Sequence, residues 1–393
     1  MHSFGREFRA EFPLDPSVTY LNHGTVGVTP RRVLAAQQAI RDEIERQPSR
    51  FLLRELTKVV VGQPTSEKPR LRQTADIVAP FLGAKGDDVV FVDNATTGAN
   101  AVLRSFPFEA GDEILVTDHG YGGVTNAATY AARQRGATVR TIAMPHPIRS
   151  AADVTEAAVA AIGPKTRLAV IDHIAAHSSL IFPIADIAKR YRERGVPIFV
   201  DGAHAPGAIP LDIESLGVDW YVGNLHKWMW VPRASAVLWV TPARHAQVRP
   251  AVVSWGLDQG FTTEFDLPGT RDPSPHLSAP AAIAYMKELG VDAVQRYNHR
   301  LAWEGAHHLA RRWKTEFVAP ESMIGTLATI ELPASAGSTV DQAATLRDRL
   351  LFEDHIEVQM HAAHDRVHAR ISAQIYNDMA DIDRLADAVL RRM

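Results

Sequence analysis

The sequence contains no cysteine among its 393 residues. That absence excludes disulfides, zinc knuckles, thiolate-ligated iron–sulfur clusters and a cysteine nucleophile. It also excludes any mechanism that carries sulfur as a protein persulfide. An excess of one charge is missing too. The 42 Lys and Arg face 45 Asp and Glu, a net charge of −3, which argues against a nucleic-acid binder or a polybasic membrane protein. No apolar run approaches the roughly 18 residues of a spanning helix. Residues 1–14 are interrupted by Arg6, Glu7, Arg9 and Glu11 and do not read as a secretory signal. A soluble, cytoplasmic protein is the expectation. Without a secretory signal, Asn94-Ala95-Thr96 carries no glycosylation meaning.

What is present is ample core material, 46% hydrophobic residues in a chain long enough for two or three domains. From about residue 86, short β-branched runs alternate with amphipathic stretches. Strands are expected over 88–92, 113–117, 139–143, 167–172, 197–201, 218–222 and 234–240. Helices are expected over 96–106, 124–135, 152–162 and 184–194. This alternation predicts a mostly parallel sheet covered on both faces. The polar, proline-rich stretch Gly269–Pro275 ends it. Helices over 279–289 and 291–313, a strand over 323–332 and a further helix then suggest a smaller α+β domain. Residues 30–82 read as mostly helical, and the first twenty residues as packing with the smaller domain.

Sites in such sheets lie beyond the carboxyl ends of the strands, so each strand end is informative. After Val92, the small residues from Asn94 to Thr97 open a helix, offering either a phosphate site or an ordinary cap. After Thr117, a glycine-rich turn carries His119 and Tyr121. It could cover a flat ligand or be a tight loop; the dinucleotide fingerprint is rejected because Val124 and Thr125 replace the remaining glycine. Asp201 closes a buried strand, where a carboxylate is costly unless it meets a cation. Lys227 lies among His226, Trp228 and Trp230. Desolvation there would lower its pKa and make it nucleophilic, unless its head simply reaches water. Their order along one sheet is what pyridoxal 5′-phosphate requires: an anion site, an aromatic cover, a buried acid and a desolvated lysine.

With these residues in view, the sequence resembles the fold-type I pyridoxal-phosphate enzymes of the class V aminotransferase superfamily, and their isopenicillin N epimerase-like and cysteine desulfurase-like branch. The motifs are Tyr20-Leu21-Asn22-His23-Gly24, Asp201-Gly202-Ala203-His204, His226-Lys227, Gly269-Thr270-Arg271-Asp272, Arg370-Ile371-Ser372 and Tyr376-Asn377. The resemblance implies an α/β fold: a large domain (21–270) with a mostly parallel seven-stranded sheet, and a smaller α+β domain (1–20 and 271–393). It implies Lys227 as the Schiff-base lysine, Asp201 as partner of the pyridine nitrogen and His204 near the phenolic oxygen. Asn94, Ala95, Thr96, Asn224 and His226 would hold the phosphate. His119 occupies the place of the desulfurases' stacking histidine, but Tyr121 fits this branch better and is preferred. Thr270 would reach the cofactor of a neighbouring subunit, implying a homodimer with shared sites. Arg370 would clamp the substrate's α-carboxylate, with Asn22 and His23 lining the substrate side.

There are departures. The asparagine usual after the fourth strand falls on Ala176, and His177 is an unusual polar replacement that could be a substrate contact or a loop histidine. His361, His364 and His368 have spacing that suggests metal, but they approach the clamp segment, and no metal is expected. The implied reaction is α-proton abstraction from an amino acid, with β-elimination from an S-substituted cysteine by a carbon–sulfur lyase expected. Epimerisation, transamination and decarboxylating oxidation are the alternatives. A non-catalytic ligand-binding protein on the same fold is remote, given Lys227 and Asp201.

Overall fold

The computed structural model describes residues 4–57 and 68–393. The helical expectation for 30–82 is met by helices Arg31–Arg46 and Arg70–Phe81 and by short turns between residues 48 and 55; its part over 58–67 lies outside the described residues, as do residues 1–3.

Thr19–Tyr20 forms a short first strand, β1. Seven strands then build the central sheet: β2 (Val89–Val92), β3 (Glu113–Thr117), β4 (Thr138–Ile142), β5 (Thr166–Asp172), β6 (Ile198–Asp201), β7 (Trp220–Asn224) and β8 (Ala236–Val240). Their spatial order is β2-β8-β7-β6-β5-β3-β4. Five of them run parallel through β4, β3, β5, β6 and β7, while β8 is antiparallel to both β7 and β2. The inner strands are buried on both faces, as their continuous Val, Ile and Leu content requires. Helix Ala95–Ser105 lies close against this sheet because Gly98 has no side chain. A Cβ there would stand 2.6 Å from a methyl group of Val222.

The long helices Ala279–Leu289 and Val291–Trp313 fall where the periodicity places them. The following strand, β9 (Leu327–Glu331), is shorter than the expected 323–332 because a single helical turn occupies Glu321–Met323. After helix Val340–Asp354 come β10 (Ile356–Glu357), β11 (Gln359–Ala363) and β12 (Arg366–Ser372). β11, β12 and β9 form an antiparallel three-stranded sheet, whereas β10 pairs in parallel with β1. Asn22 bridges Ser372, and the Gly5 amide donates to the Ile375 carbonyl at 2.8 Å. The beginning and end of the chain are thus sewn together beside the clamp motif. No helix among the described residues is long and apolar enough to cross a membrane.

Candidate active site

The ends of β5, β6 and β7 meet the segment 226–230 and the inner face of β12. Asp201, the last residue of β6, is buried and accepts the Ala203 amide at 3.0 Å, which bends the chain sharply after the strand. Gly202 makes this bend possible. A Cβ there would fall 2.1 Å from the ring of Tyr221, itself fully buried and hydrogen-bonded to His173 at 2.9 Å. Burial raises the pKa of Asp201, opposed by the Ala203 amide and by the charge of Lys227.

Asp172 stands directly beside Asp201 in the β5–β6 register. Its pKa is raised by burial and by the Asp201 charge, while a 3.0 Å bond from the Thr117 hydroxyl opposes the shift. Asp172 was not singled out from the sequence. Its position at the end of an apolar strand, the signal that drew attention to Asp201, could have found it. Two dry carboxylates at adjacent strand ends form a site for a cation or a shared proton.

Lys227 brings its amino group within 3.1 Å of His204 Nε2, and the indole N–H of Trp228 points at His204 Nδ1 at 3.5 Å. If Nδ1 accepts from the indole, the imidazole proton sits on Nε2 and donates to a neutral amine. The electrostatics agree. Burial, then the Arg370 charge, push Lys227 down from 10.5 to about 7, against the pull of Asp201. His204 is itself held well below its usual range by burial and by the Lys227 charge.

Arg370, on β12, is 6% exposed. It donates to the Ala176 carbonyl and to the Thr25 hydroxyl, both at 2.8 Å, and its Nε has no partner among the described residues. Burial pushes its pKa down to about 10. A buried guanidinium with an idle donor and no carboxylate at ion-pair distance among the described residues is a receptor for a carboxylate ligand. Asn22 supports it from behind. Thr25 donates its hydroxyl proton to Asn22 Oδ1 at 2.5 Å, and Asn22 Nδ2 donates to Glu357 at 2.7 Å.

Several expectations need correction. His23 does not line the substrate side. It is fully buried, donating from Nε2 to the Lys227 carbonyl at 3.0 Å and meeting the Tyr376 hydroxyl through Nδ1 at 2.9 Å, so both nitrogens are used in holding the lysine segment. The two candidates for the ring's cover sit in different settings. Tyr121 is 52% exposed and folds over its own helix turn at Gly123, whereas His119 is buried and hydrogen-bonded to Ser178 at 2.8 Å. Burial keeps His119 neutral.

The expected phosphate cradle is partly occupied by its own members. Asn94 caps the helix by accepting the Thr97 amide at 2.9 Å, and Asn224 Oδ1 accepts the Ala95 amide at 2.8 Å. The Thr96 amide and hydroxyl, Asn224 Nδ2 and His226 are left to face an anion. His226 Nδ1 meets the Ser235 carbonyl at 3.0 Å, so its Nε2 can donate to a phosphate only when protonated, although burial pushes it down to about 4. Thr270 is exposed, and its neighbour Arg271 ties the turn to Asp93 at 2.7 Å. His177 lies beside Arg370, whose charge, after burial, lowers its pKa.

Residues fit for a pyridoxal phosphate are therefore present: an anion-facing helix start, a buried acid pair that lacks a cation of its own other than Lys227, and an amine at the right ionisation. His361, His364 and His368 do not converge on a point. His361 stacks on His368 across the β11–β12 pair at 5.5 Å, and His364, in the turn between them, stacks on His146 at 3.7 Å. No group of three or more ligating side chains suited to a metal occurs among the described residues.

Comparison with known proteins agrees with this geometry. Residues 60–385 match the sequence family described as aminotransferase class-V. The chain is 32% identical to an isopenicillin N epimerase of Streptomyces clavuligerus over 401 residues, 98% of this chain and 97% of that protein. It is 30% identical to a probable chloroplastic L-cysteine desulfhydrase of Arabidopsis thaliana, covering 98% of this chain and 85% of the relative. The apo structure of a cysteine desulfurase from Thermococcus onnurineus NA1 superposes with a TM-score of 0.79 at 18% identity, covering 100% of this chain and 98% of that one, and shares the fold.

Proposed function

The chain belongs to the aminotransferase class-V family, and from that premise we propose that it is a pyridoxal-phosphate-dependent carbon–sulfur lyase acting on an S-substituted cysteine. The observation that carries the reading is the buried Arg370 guanidinium, with an idle Nε, set beside a lysine whose amine is half neutral near pH 7. An α-carboxylate and an α-hydrogen are what such a pair can hold and remove.

Bound at this site, the cofactor would supply an electron sink that acidifies the α-hydrogen of an amino acid. Thr96, Asn224 and His226 would hold its phosphate, Asp201 its ring nitrogen, His119 its face, and Lys227 the covalent attachment. Asp172 would keep the charge of Asp201 in place through its own proton. Arg370 fixes the α-carboxylate with two parallel bonds, which orients the α-hydrogen toward Lys227. Lys227, with its pKa near 7, takes that proton as a neutral amine, and His204 keeps the amine's lone pair directed. The Cα–H and Cβ–S bonds break, the sulfur leaves on the thiol product, and the released enamine hydrolyses to pyruvate and ammonia. With no cysteine in the chain, no sulfur is retained by the protein.

The similarity to a probable L-cysteine desulfhydrase favours elimination. The similarity to an isopenicillin N epimerase favours the second reading, epimerisation at an α-carbon. Dimeric assembly, with Thr270 contributing to a neighbouring site, and the division into domains at 21–270 and 1–20 with 271–393, belong to the same proposal.

The test is to incubate the yellow holoenzyme with S-alkyl cysteines and measure pyruvate and thiol, with borohydride trapping of the cofactor on Lys227. Pyruvate formation supports elimination. Deuterium entering unchanged substrate with loss of optical activity, and no pyruvate, selects epimerisation instead. A colourless protein indifferent to Lys227→Ala would overturn both.

A further inference from the structure

A cleft of about 450 Å³ opens between the central sheet and the β11-β12-β9 sheet. Its walls come from both sheets. The 118–119 turn, the loop 145–148 and the segment 177–180 supply one side; β9, β11 and the residues 316–319 supply the other. Six histidines line it: His119, His146, His177, His361, His364 and His368. The function proposed above uses only the first and third of these.

The cleft adjoins the carboxylate clamp. Arg370 donates to the carbonyl of Ala176, and the next residue, His177, is in the cleft wall. His368 precedes Arg370 by two positions on β12, which places both on one face about 7 Å apart. The Arg370 charge is felt at both His177 and His361. A substrate held by its α-carboxylate at Arg370 therefore has this space beside it. The volume is in the range of small-molecule pockets, far more than a methyl group on sulfur would fill.

We propose that this cleft receives the distal part of the substrate, and that this part is a flat heteroaromatic ring without negative charge. The inference rests on the reading of Arg370 as the carboxylate clamp.

The lining chooses the chemistry. Among the described residues, no Lys or Arg lines the cleft, whereas Asp118, Glu316 and Glu331 do. Burial leaves His146, His177, His361 and His368 short of protons at neutral pH, so the cleft has no fixed positive charge to meet a carboxylate or phosphate. Instead its lining is rich in imidazole rings that pack against one another. His146 and His364 lie parallel at 3.7 Å, and His361 is tilted 52° to His177 at 5.3 Å. A neutral heteroaromatic ring would pack among these imidazoles. Leu180, Phe317 and Val318 supply the apolar remainder.

The experiment compares three substrates with the holoenzyme: S-methyl-, S-carboxymethyl- and S-(pyridin-4-ylmethyl)-L-cysteine, read as pyruvate. The pyridylmethyl substrate is expected to exceed the other two in kcat/KM by at least tenfold. His361→Ala, and separately Val318→Trp, which would fill the cleft, should bring that ratio close to one. In parallel, calorimetric binding of the analogues with CH2 in place of sulfur reads the distal preference without any elimination. A flat ranking in both assays, a preference for the carboxymethyl group, or a ratio untouched by both variants overturns the proposal. The intact ranking in the binding series with no pyruvate from any substrate supports the cleft and refutes the lyase reading alone.

Discussion

Replacing Arg370 by methionine separates what this residue does for the fold from what it does for a ligand. The side chain is 6% exposed, and burial lowers its pKa from 12.5 to about 10. At ~1.4 kcal/mol per pH unit, that depression corresponds to roughly 3 kcal/mol against the charged form in the folded state. The guanidinium is charged in folded and unfolded chains alike below about pH 10, so this penalty is present across the physiological range. Opposing it are two charge-assisted hydrogen bonds, to Ala176 and Thr25, each contributing about 1.5–3 kcal/mol. Methionine removes both sides of the balance, and Thr25 keeps its bond to Asn22. The net change in stability is therefore expected between about 0 and 3 kcal/mol of destabilisation, a shift of several degrees in Tm at most. The loss at the substrate is larger. A two-pronged bridge to an α-carboxylate contributes on the order of 3–5 kcal/mol, or two to three orders of magnitude in kcat/KM. The assays are thermal melting of the free enzyme, the yellow colour, and pyruvate kinetics. Near-normal melting, retained colour and a kcat/KM reduced at least a hundredfold are expected, with Arg370→Lys between the two. A melting temperature lowered by more than about ten degrees would mean the guanidinium holds the fold. A KM within threefold of the parent would mean that the carboxylate binds elsewhere.

Asp201→Asn removes the charge that raises the Lys227 pKa, so amine modification of Lys227 in the cofactor-free protein should titrate below 7, and activity should fall at least a hundredfold. His119→Ala should shift the cofactor's visible absorbance while Tyr121→Ala leaves it in place; the opposite pattern would restore Tyr121 as the ring's cover. Gly202→Ala drives a Cβ into the Tyr221 ring and should cost about 1–3 kcal/mol or more, read as a lower urea midpoint. Acid should weaken the fold through buried neutral histidines. His23 and His276 are pushed down to about 4 and about 3 by burial, against about 6.5 unfolded, so the unfolded chain binds protons first. Their contribution is complete above pH 6.5 and is lost as the pH falls toward 4, and His23→Gln should flatten that part of the urea-midpoint profile.

The strand and helix alternation was legible because buried parallel strands must be continuous apolar runs, and the two helices after Ala279 matched to the residue. The antiparallel direction of β8 was not, since a fully buried strand has the same residue pattern in either direction. Among site residues, Asp201 and Lys227 stand where a charged group in an apolar setting announces itself, whereas Arg370 entered only through the family resemblance. For His23 and Tyr121, sequence gives type and position but not which way each side chain turns. One points into the core toward Tyr376 and the other out to solvent. The self-capping of Asn94, Ala95 and Asn224 depends on a contact between residues more than a hundred positions apart, invisible to local spacing.

The pairing of β1 with β10, and of Asn22 with Ser372, has a consequence for how the protein is made. During synthesis, the segment around Tyr20 leaves the ribosome first and must wait for residues 356–372 before it has a strand to join. Long-range closures of this kind slow folding and leave intermediates exposed. The seven strands that carry Asp201 and Lys227 end at Val240 and need not wait. A nascent chain would thus have its desolvated amine in place some 130 residues before the guanidinium at Arg370 arrives. Helpers that shield hydrophobic surface would be needed most in that interval.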